Sequence, residues 1–185
     1  ARVKFKRECS GIRDLYHCLY SGKQDNYQES CVCGKVKNFY VMDELRNYLK
    51  HLVSFSETEL DESLSYFKKV EIARDQSYVK EDEICKRAAF IKKGLFKLFY
   101  TLDGVERIML FFQEYQVVTD YYSFLTQTPS KRPVQAVEDS VIYNISHADF
   151  QNLIDSSAKW ERIGRILAER AYIYSVQRAN RIIHD

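Results

Sequence analysis

The run RAAFIKKGLFKLFYTLDGVERIMLFF, residues 87–112, limits most strongly what this chain can fold into. β-Branched and aromatic residues flank Asp103-Gly104 on both sides. That dipeptide suits the positive φ angles of a tight hairpin turn, so two long strands are expected to meet there. Further strands are expected near residues 70–74, 77–81, 115–120 and 134–145, all short and separated by turn signals. Strands of this kind suggest a jelly-roll-like barrel.

Helical periods bracket the strands. MDELRNYLKHL, starting at Met42, places Leu45, Tyr48, Leu49 and Leu52 on one helix face. Ser56 followed by Glu59 is a capping box that opens a second helix, because each side chain can satisfy the other's free backbone N–H. Ser146 with Asp149 repeats that pattern and predicts a helix through roughly Ile154. In KWERIGRILAERAYIYSVQRANRIIHD, residues 159–185, the residues Trp160, Gly164, Leu167, Ala171 and Tyr174 recur at steps of 4, 3, 4 and 3, a heptad seam. Apolar residues also fall off that seam, at Ile163, Ile166 and Ile173. One helix is therefore expected to serve two surfaces, its own barrel and the partner in a homodimer.

The N-terminal 41 residues differ from the rest. They carry 8 Lys/Arg against 4 Asp/Glu, whereas residues 42–185 carry 20 against 22, so the formal charge of +2 hides a basic appendage on a near-neutral body. A body this close to neutral has no overall basic footprint for nucleic acid. Four of the five cysteines, Cys9, Cys18, Cys31 and Cys33, lie in the appendage near His17, and Cys85 alone belongs to the body. A single Cys-x-Cys pair is weak as a zinc motif, and free thiols in a cytoplasmic setting are the expectation. The helical period begins abruptly at Met42, which reads as a natural start and makes residues 1–41 an upstream extension or an artefact. The expected layout is that extension, a barrel with flanking helices over 42–158, and a dimerisation helix over 159–185. No apolar run approaches the roughly 18 residues of a membrane span, so no membrane role and a cytoplasmic location are expected.

Chemistry-bearing motifs are scarce. The histidines are His17, His51, His147 and His184, none between residues 68 and 146, so a barrel here has no His ligands for a metal-dependent oxygenase. There is no Gly-rich phosphate loop, no Gly-x-Ser-x-Gly elbow, and no body cysteine with a plausible histidine partner. No catalytic residue, metal or cofactor is expected.

FIKKGLFKLFYTLDGVERIMLFF resembles the strand, Gly, strand, Asp-Gly turn, strand run of cyclic-nucleotide-binding domains, particularly those of the Crp/Fnr family of transcription regulators, with Gly94 and Gly104 at the family's turn glycines. DSVIYNISHADFQNLIDSS resembles the family's last barrel strand and following helix, and KWERIGRILAERAYIYSV its long dimerisation helix. VTDYYSFLTQTPS and the KWERIGR run look more like the divergent branch common in Bacteroidetes. The resemblance covers about residues 42–185. It implies an α+β chain: a double-stranded β-helix (jelly-roll) barrel of cyclic-nucleotide-binding type, flanked by N-terminal helices and a long C-terminal dimerisation helix. It also implies that DNA is reached only through a helix-turn-helix, which a chain ending at Asp185 lacks.

Family members that bind cAMP carry Gly-Glu for the ribose and, some ten residues later, Arg-Ser-Ala for the cyclic phosphate. Counted without gaps back from Ile145-Ser146, these fall on Thr119-Asp120 and on Ser130-Lys131-Arg132. Only the acid survives, one carbon shorter. Losing the Arg fork removes two charge-assisted bonds, each worth on the order of 1.5 to 3 kcal/mol. Lys131 or Arg132 could substitute from a shifted register, although a Lys point charge does not reproduce the fork. The ligand candidates are Thr119, Asp120, Tyr122, Ser130, Lys131 and Arg132. The dimer candidates are Trp160, Ile163, Gly164, Leu167, Ala171 and Tyr174. The expected role is the ligand-sensing and dimerisation domain of a Crp/Fnr-like regulator with an unknown small-molecule effector rather than cAMP; the alternative is a ligand-free interaction or scaffold module with a degenerate pocket. Asp120 as a mere cap or turn residue, and Lys131-Arg132 as a solvated pair, are the bland readings beside it.

Overall fold

The structure is a computed structural model that describes residues 42–184, with side chains described through residue 180. The cysteines at 9, 18, 31 and 33, His17 and the whole extension 1–41 lie outside the described residues.

Two helices lead in, α1 (Asp43–Leu52) and α2 (Glu57–Leu64). Leu45 and Leu49 of α1 are buried, and Tyr48 packs its ring 5.0 Å from that of Phe90. The Ser56–Glu59 capping box is formed in both directions, with Ser56 N donating to Glu59 Oε2 at 2.7 Å and Glu59 N to Ser56 Oγ at 3.3 Å. Arg46 joins the helices by ion pairs to Glu57 and Asp61.

Eight strands follow: β1 (Lys68–Ile72), β2 (Ser77–Val79), β3 (Arg87–Lys93), β4 (Phe96–Leu102), β5 (Val105–Phe112), β6 (Val117–Val118), β7 (Val134–Ala136) and β8 (Ser140–Ser146). They form two four-stranded antiparallel sheets, ordered β1-β8-β3-β6 and β2-β7-β4-β5, the jelly-roll arrangement. Phe90, Phe96, Val118, Val134 and Ile142 are among the side chains that fill the space enclosed. β4 and β5 meet at Asp103-Gly104 with φ of 53° and 75°, pairing Leu102 with Val105 across the turn. Between β3 and β4, Gly94 has φ of 112°, and a Cβ there would stand 2.0 Å from Ser140 Oγ.

The single strand expected over 134–145 is two strands in different sheets. The chain crosses between sheets at Glu138-Asp139, where a jelly roll must change sides. Residues 121–126, for which no helix was expected, form α3 (Tyr121–Thr126) and leave β6 only two residues long. One and a half turns are too short for a 3.6-residue period to show.

Two helices end the chain, α4 (His147–Ser156) and α5 (Ala158–His184). Ser146 caps α4 by accepting from Asp149 N at 3.0 Å, while the shorter Asp149 carboxylate takes the Ser146 hydroxyl at 2.6 Å. Trp160 and Ile163 of α5 are buried in their own chain. The Trp160 ring lies among Phe55, Phe67 and Phe150, and its Nε1 donates to Ser63 Oγ at 2.8 Å. Lys159 pairs with Glu59 at 2.6 Å, and Arg170 donates to Tyr48 Oη at 3.3 Å. Farther along, Arg178 donates to the Met109 carbonyl of β5, an edge strand.

Candidate functional site

The candidate ligand residues sit where β6 hands over to α3 and where the chain returns toward β7. Pairing of Ala89 with Val118 and Phe90 with Val117 fixes the end of β6, so Thr119 and Asp120 follow at a defined place. Asp120 holds the N-cap position of α3, yet its side chain makes no cap bond. Its carboxylate turns instead toward the returning segment. Ser130 Oγ donates to Asp120 Oδ2 at 2.6 Å and Arg132 Nη2 to Oδ1 at 2.7 Å. The same Ser130 oxygen accepts the Arg132 backbone N–H at 3.0 Å. Asp120 is 1% exposed. A carboxylate so far from water requires such partners, and here the partners come from the chain itself.

The structure therefore brings together Asp120, Ser130, Arg132 and Tyr122, whose 62% exposed ring lies under the Arg132 guanidinium at 5.5 Å. Lys131 is directed elsewhere, to an ion pair with Asp82 in which both side chains are well exposed. That contact raises the Lys131 pKa. Thr119 also points away from the group: its Oγ1 donates to the Arg87 carbonyl at 3.1 Å and lies 3.2 Å from Cys85 Sγ. Of the two residues weighed as substitutes for the family's phosphate-holding Arg, Arg132 engages Asp120 and Lys131 engages Asp82.

Sequence reasoning missed the wall behind this group. The loop from β2 to β3 runs alongside residues 128–131: Asp82 N donates to Ser130 O at 2.7 Å, Ser130 N donates to Glu83 O at 3.0 Å, and Ile84 bridges to Pro129. Cys85 N donates to Ser123 Oγ at 2.9 Å, and Gln127 Nε2 donates to the Cys85 carbonyl at 3.3 Å. The signal available was Ile84-Cys85, an apolar pair inside the charged stretch KEDEICKR, which reaches inward while its neighbours stay wet.

From α3 an aromatic chain leads to the long helix. Phe124 lies edge-on to His147 at 5.0 Å and to Phe150 at 5.7 Å, and Phe150 lies edge-on to Trp160 at 6.2 Å. The helix that Asp120 precedes is thus packed, through two rings, against the root of α5. Among the dimer candidates, Trp160 and Ile163 are spent on this core, Gly164 faces Ile154, and Leu167 packs partly against the core. Ala171 is half-buried and Tyr174 exposed, next to exposed Tyr172, Ile173 and Val176.

Residues 69–157 match the family model described as the cyclic nucleotide-binding domain. No curated protein sequence matches the chain. Similar solved structures include the Thermus thermophilus catabolite activator protein, with 21% identity and a TM-score of 0.58 over 70% of this chain. This chain spans 61% of that protein's length. A cyclic nucleotide-binding domain from Methylobacillus flagellatus matches at a TM-score of 0.67 with 13% identity, covering 76% of this chain and 82% of the other. The sensor domain of the transcriptional regulator DNR from Pseudomonas aeruginosa matches at 0.56 with 19% identity, covering 76% and 89%. At these identities the likeness is one of fold: an antiparallel β-sandwich of the cyclic nucleotide-binding type with flanking helices.

Proposed function

We propose that this chain is the ligand-sensing and dimerisation domain of a Crp/Fnr-like, Bacteroidetes-type transcription regulator that does not take cAMP in the manner of its cAMP-binding relatives. The observation that carries this reading is the closed pair Asp120–Arg132. The acid that would accept from a ribose hydroxyl is 1% exposed and already holds Ser130 and Arg132. A cyclic nucleotide would have to break that pair and leave the carboxylate buried without its cation, a loss of about 3 to 5 kcal/mol before any contact is gained.

On this reading the chain acts in the cytoplasm, without catalysis or cofactor, and α3 is the moving part. Its displacement passes through Phe124 and Phe150 to Trp160 and so to α5. Coupling requires that an effector bind two arrangements of α5 differently. Dimerisation then falls to the part of α5 beyond the core contacts, where the off-seam Ile173 joins Tyr172, Tyr174 and Val176. DNA is contacted by a helix-turn-helix outside residues 42–184. The same closure is what a ligand-free scaffold module would have, so that alternative stands beside the first.

Calorimetric titration of the protein with cAMP and cGMP tests the reading, with Arg132→Ala and Arg132→Lys run alongside. No saturable heat at micromolar nucleotide is expected. Saturable micromolar binding that disappears in Arg132→Ala would mean that the pair opens for the nucleotide, and the reading would be wrong.

A further inference from the structure

Residues 78, 79 and 82–87 line a half-open cavity of about 490 Å3, within the range of small-ligand sites. It is separate in its lining from the Asp120 group. Tyr78, Val79 and Ile84 supply apolar wall, and the Arg87 guanidinium lies 5.6 Å over the Tyr78 ring. Lys86 and Arg87 are both exposed and neither makes an ion pair among the described residues. Of the two acids in the lining, Asp82 is paired with Lys131, which leaves Glu83 beside two cations that make no ion pair among the described residues.

From this arrangement we infer that the cavity, and not the Asp120 group, is the effector site, and that it takes a small organic anion with a flat apolar body. The anion is held by Arg87, with Lys86 adding to the field, and the body lies against Tyr78, Val79 and Ile84. An Arg already stacked on an aromatic ring is pre-organised, so fewer rotamers are lost when it grips a planar acid.

The position of the cavity also supplies a route for a signal. Its wall is the loop whose far side is bonded to Ser123, Gln127 and Ser130, so a ligand pressing on residues 82–85 moves α3 directly. The Lys86 carbonyl accepts from His147 N at 2.8 Å, which ties the same loop to the first residue of α4. Both ties lead to Phe150 and Trp160. This inference rests on the sensor reading above, and it predicts a binder where that reading's nucleotide titration predicts none.

The test uses the whole chain and 4-(trifluoromethyl)benzoate, followed by fluorine NMR, with the uncharged 4-(trifluoromethyl)benzamide as control. Trp160, the only tryptophan in the sequence, reports on the root of α5 by its emission. Saturable benzoate binding is expected, weakened at least tenfold in Arg87→Ala and accompanied by a change in Trp160 emission; the amide is expected not to bind. Arg87 is exposed, so its replacement leaves the fold in place, and circular dichroism checks that. Absence of saturable benzoate binding, or equal binding by the wild type and Arg87→Ala, overturns the site. Binding that leaves Trp160 emission unchanged overturns the signal route, whereas cAMP binding with no benzoate site would overturn both this inference and the reading beneath it.

Discussion

Arg132 Nη2 lies 2.7 Å from Asp120 Oδ1, and the two partners differ sharply in their access to water: 32% of the Arg side chain is exposed against 2% of the Asp. The cation thus acts as the outer stopper of a buried acid, with Tyr122 spread beneath it on the solvent side. Removing the stopper exposes the asymmetry.

Arg132→Ala is expected to lose about 3 to 5 kcal/mol of stability, because it strands a carboxylate that keeps only Ser130. Adding Asp120→Asn should recover part of that loss, since a neutral amide is cheaper to bury than a lone charge. Urea unfolding midpoints of the wild type, the single and the double variant decide it. Equal losses in the single and double variants would show that the ion pair is not what the site needs.

Two glycines at positive φ should respond differently to the same change. Gly94→Ala brings a Cβ to 2.0 Å from Ser140 Oγ and 2.9 Å from Ser140 Cα, whereas nothing lies within 4 Å of a Cβ at Gly104. Gly104→Ala should cost about 1 kcal/mol from backbone conformation alone, and Gly94→Ala roughly 3 kcal/mol or more. Thermal melts of both variants compared with the wild type give the order directly.

Stability should fall in acid partly through Glu59. Lys159, then Ser56 by its backbone and side chain, lower its pKa from 4.5 to about 2. A carboxylate depressed in the folded state contributes stability above its unfolded value, and that contribution is lost as the pH drops from about 4.5 toward 2. Melting temperatures between pH 5.5 and 2.5 should therefore decline less steeply in Glu59→Gln than in the wild type. Identical slopes would mean that the Lys159 contact does not hold in solution. The slope that remains in the variant reflects other lowered carboxylates, among them Glu57 beside Lys50.

Self-association should depend on the outer half of α5. Ile173 is 49% exposed and is not a member of the buried core, so Ile173→Glu should leave the melting temperature within a few degrees while shifting sedimentation from dimer to monomer at micromolar concentration. An unchanged sedimentation coefficient, or a wild type that is monomeric to begin with, would remove α5 as the dimer element. Leu167→Glu is a poorer probe, because Leu167 packs partly against the core and its loss acts on folding as well.

The elements that the sequence revealed were those with a repeating physical signal. The Asp103-Gly104 turn, the face of α1 and the Ser56–Glu59 cap each depend on residues a few positions apart, and each forms as expected. The crossing at Glu138-Asp139 and the six-residue α3 depend on which sheet a strand joins, which no local period encodes. For the candidate site, gapless counting singled out Asp120, Ser130 and Arg132, three residues whose side chains bond one another in the structure. What it could not give was their orientation toward one another, because an ion pair spanning twelve residues is decided by the path of the returning segment. The heptad steps from Trp160 to Tyr174 likewise fit one face of a helix, but the burial of Trp160 by Phe55, Phe67 and Phe150 comes from elements far away in sequence.

The long edge strand β5 has its own bearing on how the molecule can be handled. Val105, Ile108 and Phe111 are exposed along it, and the arginine that α5 sends to the Met109 carbonyl occupies one of the outward acceptors to which another strand could attach. Protein shortened before Arg178 would present that acceptor beside an apolar ribbon, the recipe for edge-to-edge stacking. Its solubility on storage should suffer well before its melting point does.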